Sequence, residues 1–541
     1  MSIPKRITAL LLAALFALAA GCAVNKDKAG AEYAVKDELL KSAGANNGPA
    51  RVFYEIFVGS FADSDGDGTG DLRGIINKMD YLNDGDPDSG RSLGVEGLWL
   101  TPIFRSSSYH KYDIADYYDI DSAFGTMDDL KELIALCHER GMYLILDLPI
   151  NHTSRMNSWF GSFVSAHRKG DTEDPYYNFY SWYDGSGSAP AGRHFVQISG
   201  TDHYYECNFS DDMPELDFDS PAVREAVYEV AKFYIDMGID GFRFDAAKYV
   251  YFGDNKRSVE FWLEYMEKLR ALKPDIYCVG EVWDGEGVID QYTAAFDCFD
   301  FTVSQSGGLI AAAAQKGDAN QYCSYVEGYL NKIGGIRRGA LYTPFIANHD
   351  TDRAAGYLTV ASNTIKMGAN LYILGPGTPF IYYGEELGMR GSRGGSNTDA
   401  NRRLAMPWGD DAAPNDPVGA SYSDELRLDK TAADELKDPD SLYTYYKRLI
   451  MARRANPEIA SGEYTALRLK DTKTGGFIAT LEGRSVMVLH NPSAGSQTVD
   501  LSALTDMKIG ELRGVFGAEE ASLEGSVLKL GGQTSVIIGL G

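Results

Sequence analysis

The sequence predicts an α/β chain: a (β/α)8 barrel of the TIM type over residues 50–152 and 217–455, an insertion domain at 153–216 after the third strand, and a C-terminal antiparallel β-sandwich at 456–541. Three observations carry that prediction. From residue 51 onward, short apolar runs of strand length alternate with amphipathic stretches, the pattern of repeated βαβ units. Four of those runs finish in carboxylates where a strand would stop, at Asp147, Asp245, Glu281 and Asp350. After residue 455 the pattern changes to alternating runs separated by Gly- and Asp-containing turns, as in an antiparallel sandwich.

The N-terminal segment reads as a signal. Lys5 and Arg6 precede an apolar run at 7–20 that is too short to remain as a membrane-spanning helix and has the layout of a secretory leader. It ends in Leu18-Ala19-Ala20-Gly21-Cys22, which resembles a bacterial lipobox. Residues 1–22 are therefore expected to be a lipoprotein signal, with Cys22 lipidated, and residues 23–49 a flexible tether. That places the enzyme-sized remainder outside the cytoplasm, membrane-anchored on the cell surface or in the periplasm.

Eight candidate strands follow, at 52–58, 97–100, 143–147, 241–244, 277–280, 299–303, 342–346 and 379–383. Helices are expected between them. One covers 127–140 and is ended by Gly141; another covers 221–237, with Ser220 as N-cap, Pro221 at its first position and Gly238 after it. Such a barrel carries its site at the C-terminal ends of the strands. The insertion, 153–216, is rich in Tyr, Ser, Gly and Asp, shows no long helical period, and is expected to form one wall of a cleft. In the terminal domain the clearest strand candidates are 464–469, 476–481 and 485–490.

Composition narrows the partners. A hydrophobic content of 44% supports a large core and excludes a disordered chain. The net charge of −26 repels nucleic acid and anionic lipid surfaces, whereas a neutral substrate is compatible with it. The 34 tyrosines serve either extra packing or stacking against sugar rings, and composition alone leaves both open. Beyond Cys22 there are five cysteines, an odd number that excludes complete intrachain pairing. No CxxC or Cys/His spacing points to zinc, and Cys137 and Cys278 read as buried thiols.

The strand ends carry the chemistry. In GFRFD (241–245), Arg243 and Asp245 are two residues apart and share one side of the strand. A guanidinium beside a carboxylate favours its charged form, which a glycosidase nucleophile requires. Glu281 instead follows Cys278-Val279-Gly280 and precedes Val282 and Trp283, and an acid in apolar surroundings keeps its proton to higher pH, as a general acid should. Either feature alone is usually structural.

In order, DLPINH (147–152), GFRFDAAKY (241–249), GEVW (280–283) and FIANHD (345–350) resemble the four signature regions of the α-amylase family of glycoside hydrolases. MPELDFDSP (213–221), GVEGLWLTPIF (94–104), KYDIADYYDID (111–121) and GTPFIYYGEELGM (377–389) are similar to further regions of that family. The resemblance implies that Asp245 is the nucleophile of a retaining double displacement, Glu281 the acid and base, and Asp350 a transition-state stabiliser. It further implies that His152 and His349 hold sugar hydroxyls, Arg243 orients Asp245, Asp147 braces the rim, Tyr112 stacks on the sugar at the cleavage point, and Lys248 reaches the leaving-group side.

A second acidic motif, Asp63-Ser64-Asp65-Gly66-Asp67-Gly68-Thr69-Gly70-Asp71, alternates carboxylates with glycines and resembles the first half of an EF-hand loop without its terminal Glu. Relatives hold calcium there, so Ca2+ is expected on Asp63, Asp65, Asp67 and Asp71 with the carbonyl of Thr69. Tyr249 stands where many family α-amylases carry a His that supports a different calcium site near Asn151, which puts that second site in doubt.

Ala246, where relatives cutting α-1,6 bonds tend to carry Val, together with Lys248 favours α-1,4-glucans of starch or maltooligosaccharides. Asp113 beside Tyr112 pulls toward the α-glucosidase branch, in which its equivalent pairs with an Arg to close the pocket; Arg403 is the candidate partner. An exo-acting α-glucosidase or a 4-α-glucanotransferase is thus the alternative. A non-catalytic surface glycan-binding protein would have lost Asp245 or Glu281, and both are present. Beyond glucan and membrane no partner is called for, and a monomer is expected.

Overall fold

The computed structural model describes residues 48–394, 398–422, 427–469 and 473–541. The signal and most of the tether, including Cys22, lie outside the described residues. Among the described residues no helix is long and apolar enough to cross a membrane.

A curled parallel sheet forms the centre. Its strands are β1 (Phe53–Ile56), β2 (Gly97–Leu100), β3 (Tyr143–Leu148), β4 (Gly241–Phe244), β5 (Tyr277–Gly280), β6 (Asp297–Cys298) and β7 (Phe380–Tyr382). They are ordered β6-β5-β4-β3-β2-β1-β7. Isolated parallel bridges, Phe299 with Thr343 and Phe345 with Phe380, close the gap between β6 and β7, so the sheet wraps into a barrel. Alternate residues point inward. Phe53, Trp99, Ile145, Tyr277, Val279, Phe299, Phe345 and Phe380 fill the interior as one cluster, with the Phe53 ring stacked on Phe380 and Tyr277 at 5.0 and 5.1 Å. Gly97 is glycine because a Cβ there would lie 2.5 Å from the Phe53 ring.

Two expected strands are not regular strands. At 299–303 the Asp300 carboxylate accepts the Thr302 N–H at 2.9 Å, which draws the chain into a turn, and the extended part falls earlier, at β6. At 342–346, Pro344 lacks the N–H a ladder needs, and only the single bridges form. The helices Met127–Glu139 and Pro221–Met237 stand where periodicity places them. Thr126 caps the first in a reciprocal capping box with Asp129, whereas Ser220 makes no side-chain cap bond to the second.

The insertion contains a helix, Ser158–Lys169, contrary to the absence of helical period expected there. Asn157 caps it, Gly170 ends it at φ 66°, and it buries Phe160, Phe163, Ala166 and His167, a spacing masked by the surrounding Ser and Gly. A three-stranded antiparallel sheet follows, with Tyr204–Glu206 between Trp182–Tyr183 and Phe195–Gln197. A bridge from His152 to Glu215 ties the insertion to the end of β3, and one from Tyr180 to Leu216 closes the insertion on itself.

The C-terminal region packs a five-stranded antiparallel sheet against a three-stranded one. Leu467, Met487, Leu489, Val515, Val536 and Ile538 from the larger sheet side meet Val499, Leu528 and Leu530 from the smaller in one apolar cluster. Cys137, Cys207, Cys278, Cys298 and Cys323 are all buried and unpaired.

Candidate active site

The parity that fills the barrel with aromatics also sets the site. Two residues beyond inward Phe53, Ile145 and Val279 come Glu55, Asp147 and Glu281. Arg243 lies level with Asp147 on one side and Val279 on the other. Polar groups therefore arrive at one rim from neighbouring strands.

Arg243 is fully buried and contacts three of the rim acids, Asp147, Asp245 and Glu281. Its Nη1 donates to Asp147 Oδ1 and Oδ2 at 2.8 and 2.9 Å and to Asp245 Oδ1 at 2.6 Å. Its Nη2 lies 2.9 Å from Glu281 Oε2, off the N–H direction, so this is a charge contact without a directed hydrogen bond. The Trp99 ring underlies the guanidinium at 5.3 Å. Glu281 is buried, and burial raises its carboxyl pKa; Arg243 pulls it down, while Asp245 and Asp350 push it up. Its backbone is fixed too, because Glu281 N donates to Phe244 O and Ala247 N donates to Glu281 O. Between these, Ala246 turns into the left-handed region, φ 43° and ψ 42°, where a Cβ costs about 1–2 kcal/mol. That turn aims the Ala246 N–H at Glu281 Oε2, 3.2 Å away.

A second chain of contacts runs across the barrel. Glu55 accepts from His349 Nδ1 at 2.5 Å, and His349 Nε2 faces the Tyr112 hydroxyl at 2.7 Å and Asp350 Oδ2 at 3.0 Å. The Tyr112 hydroxyl donates to Asp147 Oδ2 at 2.8 Å. Burial disfavours the imidazolium, but Asp350 and Glu55 outweigh it and push His349 up to about 10, so it carries charge. Burial also opposes ionisation of Asp350, yet His349, Arg403 and Arg243 hold its carboxyl well below the usual range. Asp147 is pushed up to about 7 by burial, against Arg243. His152 is neutral: burial lowers its pKa, and Nε2 donates to Tyr112 O at 3.2 Å while Nδ1 accepts from Asn151.

These groups border a cleft of about 500 Å³, a size typical of ligand sites. Of the residues singled out in the sequence, Tyr112, His152, Asp245, Lys248, Glu281, Asp350 and Arg403 line it. His349 and Arg243 stand behind the wall, wholly buried. Lys248 Nζ is anchored to Trp283 O and Asp284 at 2.9 and 3.0 Å. Ala246, Tyr249 and Trp283, each noted in the sequence, line it as well, and so do Tyr109, His110, Phe209, Met213 and Asp399, which were not anticipated. Nor was Glu55, although a charged residue in the apolar strand FYEI was its signal.

The expected Asp113–Arg403 pair does not form. Asp113 is buried and accepts from Ser106 and Ser107 at 2.5 and 2.8 Å, and from Ser108. Three hydroxyls from the adjoining turn satisfy its carboxylate locally. Arg403 instead donates to Asp350 Oδ1 at 2.6 Å, to the Tyr109 hydroxyl at 3.1 Å and to His349 O at 3.1 Å.

The acidic loop brings carboxylate oxygens of Asp63, Asp65 and Asp71 within 4.8 Å of one another; Asp67 stands outside that trio. Asp63 is further organised by the N–H groups of Asp65, Gly66 and Gly68.

Comparison with known proteins agrees with this geometry. The family model of the α-amylase catalytic domain matches residues 55–462. Alpha-amylase 3 of Dictyoglomus thermophilum is 36% identical over 447 residues, covering 81% of this chain and 84% of that protein. An oligo-1,6-glucosidase of Parageobacillus thermoglucosidasius is 30% identical, over 81% and 89%. The solved structure of Eubacterium rectale Amy13B superposes with a TM-score of 0.83 at 32% identity, over 92% of this chain and 96% of that one. The chain belongs to the α-amylase family of glycoside hydrolases.

Proposed function

We propose that this chain is a secreted, lipid-anchored hydrolase of α-1,4-glucosidic bonds in starch or maltooligosaccharides, acting with retention of configuration. The observation that carries this reading is the single buried guanidinium of Arg243 in contact with two cleft-lining carboxylates, Asp245 and Glu281. Carboxylates that share one guanidinium are near neighbours, and a close pair, about 5–5.5 Å apart, is the retaining arrangement. Asp245 is assigned attack on the anomeric carbon, displacing the leaving sugar as Glu281 gives its proton to the glycosidic oxygen. Glu281 then takes a proton from water, which releases the glycosyl group from Asp245. Asp350, held ionised by His349 and Arg403, faces the positive charge that develops on the sugar ring.

Arg403 spends its donors on Asp350, Tyr109 and His349, and Asp113 faces the serines. The pocket-closing ion pair of an exo-acting enzyme is therefore missing between these residues, which favours internal cleavage. Replacement of Asp245 by Asn should lower turnover by about 10⁴-fold or more, the scale of losing a group that acts on the reacting bond, while maltoheptaose still binds. Near-normal turnover in that variant would sink the assignment. With the native enzyme, maltoheptaose should yield a ladder of shorter chains; glucose alone would point to the exo reading, and products longer than the substrate to a transferase.

Asp63, Asp65 and Asp71 supply oxygen donors only, the set that suits a hard cation, and we assign Ca2+ to them. An ion there braces the loop after β1 and takes no part in bond cleavage. Chelation should lower the melting temperature of the enzyme, and Asp63→Ala should abolish that response.

A further inference from the structure

We propose that His194, Cys207 and Asp211 form a site for a borderline-soft divalent transition metal, Zn2+ being the type, on the outer side of the cleft wall. Linear spacing keeps these residues apart; strand pairing brings them together. Phe195 pairs with Glu206 in the antiparallel sheet of the insertion, so the next residues outward, His194 and Cys207, are cross-strand neighbours. Asp211 returns from the following turn. A ring nitrogen, the Cys207 sulfur and a carboxylate oxygen then lie within 4.8 Å of one another.

The donor set is selective. Nitrogen, sulfur and oxygen together suit Zn2+ and Co2+, whereas Ca2+ and Mg2+ take oxygen. Three protein ligands leave a fourth position for water. The frame is already fixed: Cys207 N donates to His194 O at 2.9 Å, and His194 N donates to Asn208 Oδ1 at 3.1 Å. The Tyr205 hydroxyl donates to Asp211 O at 2.8 Å. His194 and Asp211 are exposed, at 58% and 65% of their side chains, and open a route to the buried thiol. His194 Nε2 already contacts Asp211 Oδ1 at 2.8 Å, an exposed pair worth little by itself.

Burial, with Asp211, Glu215 and Glu206 nearby, pushes the Cys207 thiol up to about 12; Arg155 is the opposing charge. The same carboxylates favour a dication. Binding exchanges the S–H bond for a metal–thiolate bond and releases the proton to solvent. The segment so pinned carries Phe209 and Met213 into the cleft, and the Phe209 ring meets His152 and Tyr249 at 5.3 and 5.0 Å. Metal occupancy is thereby coupled to the wall that receives substrate, and its kinetic effect falls on KM.

The test is titration of the full chain with Co2+ in the presence of excess Ca2+. The acidic loop at 63–71 offers no sulfur, so a near-ultraviolet sulfur-to-cobalt absorption excludes that loop, and the Cys207→Ser variant assigns the sulfur. One equivalent should produce the band and raise the melting temperature. Cys207→Ser should abolish the band and weaken binding by more than the roughly 10–100-fold that loss of a merely supporting residue costs. His194→Ala, at an exposed position that leaves the fold intact, should weaken binding likewise without changing kcat. Absence of the band, or a band and affinity unchanged in either variant, would overturn the site.

Discussion

Two clusters of buried acids show what surroundings do to the same functional group. At the rim, Asp147, Asp245, Glu281 and Asp350 share the cations Arg243, His349 and Arg403. Beyond β7, Glu385 and Glu386 are more completely buried than the cleft-lining acids, and hydroxyls hold them: Glu385 Oε1 accepts from Tyr372 and Tyr446 at 2.6 and 2.9 Å, and Glu386 Oε1 from Tyr54 and Tyr81 at 2.7 and 2.6 Å. Tyrosine hydroxyls satisfy a carboxyl without neutralising charge. Burial consequently raises both, Glu385 to about 7. Rim cations hold Asp350 charged and oppose the rise that burial still imposes on Asp147, to about 7, and on Glu281; the pair beyond β7 meets burial with hydroxyls instead.

The sharpest way to break this contrast is to remove the cation that makes it. Arg243→Met leaves Asp147, Asp245 and Glu281 buried without their shared counter-charge, and loss of one partner of a buried pair costs about 3–5 kcal/mol. Denaturant unfolding should show that loss, and activity should fall with it. Adding Asp147→Asn should recover part of the stability, because it removes the acid most deeply buried, and none of the activity. Equal stability of Arg243→Met and wild type would mean the carboxylates there hold protons, as Glu385 does below about 7.

The tyrosine-held pair gives the next effect, through pH. Glu385 has an ordinary value of 4.5 and a folded value of about 7. Its folded pKa is raised, so the folded state holds the proton through a window in which the unfolded chain has released it. Its contribution to stability is complete below 4.5 and is lost as pH rises toward 7. Glu385→Gln, which stays neutral, should thus raise the melting temperature relative to wild type at pH 8 and leave the two close at pH 4.5. The opposite ordering would show that the tyrosines stabilise an ionised Glu385.

How far the sequence revealed these clusters follows from the same physics. Strand-end acids were legible because a run such as YLILD is a continuous apolar stretch, buried on both faces, that ends in an acid. Arg243 with Asp245 was legible from a spacing of two. Glu55 was hidden by lying inside its strand, where a charged residue has meaning only through a partner, His349, nearly three hundred positions away. Asp113 was placed opposite Arg403 by likeness to relatives, but local hydroxyls decide its direction, and competition over a few ångströms is invisible in a string of letters. In the fold, the amphipathic helices and the strands β2, β4 and β5 followed from periodicity. Pro344 and the Asp300 turn broke the two strand positions whose apolar content looked sufficient. In the insertion, three serines, a glycine and the polar tail diluted the apolar face of the helix Ser158–Lys169.

The smallest expected effect lies at the cleft mouth and isolates burial from contact geometry. Asp284 meets Lys248 Nζ at 3.0 Å, only slightly longer than the 2.6–2.9 Å contacts around Arg243, yet 40% of its side chain is exposed. Water already solvates both charges, and salt screens them. Lys248 also keeps its bond to Trp283 O when Asp284 is gone. Asp284→Asn should therefore change stability by about 0–1 kcal/mol, with no effect resolvable at high salt. Its kinetic signature should be a small rise in KM at low salt, from a less firmly held Lys248, with kcat unchanged. A loss on the scale of Arg243→Met would mean that contact distance, rather than burial, sets the worth of an ion pair in this cleft.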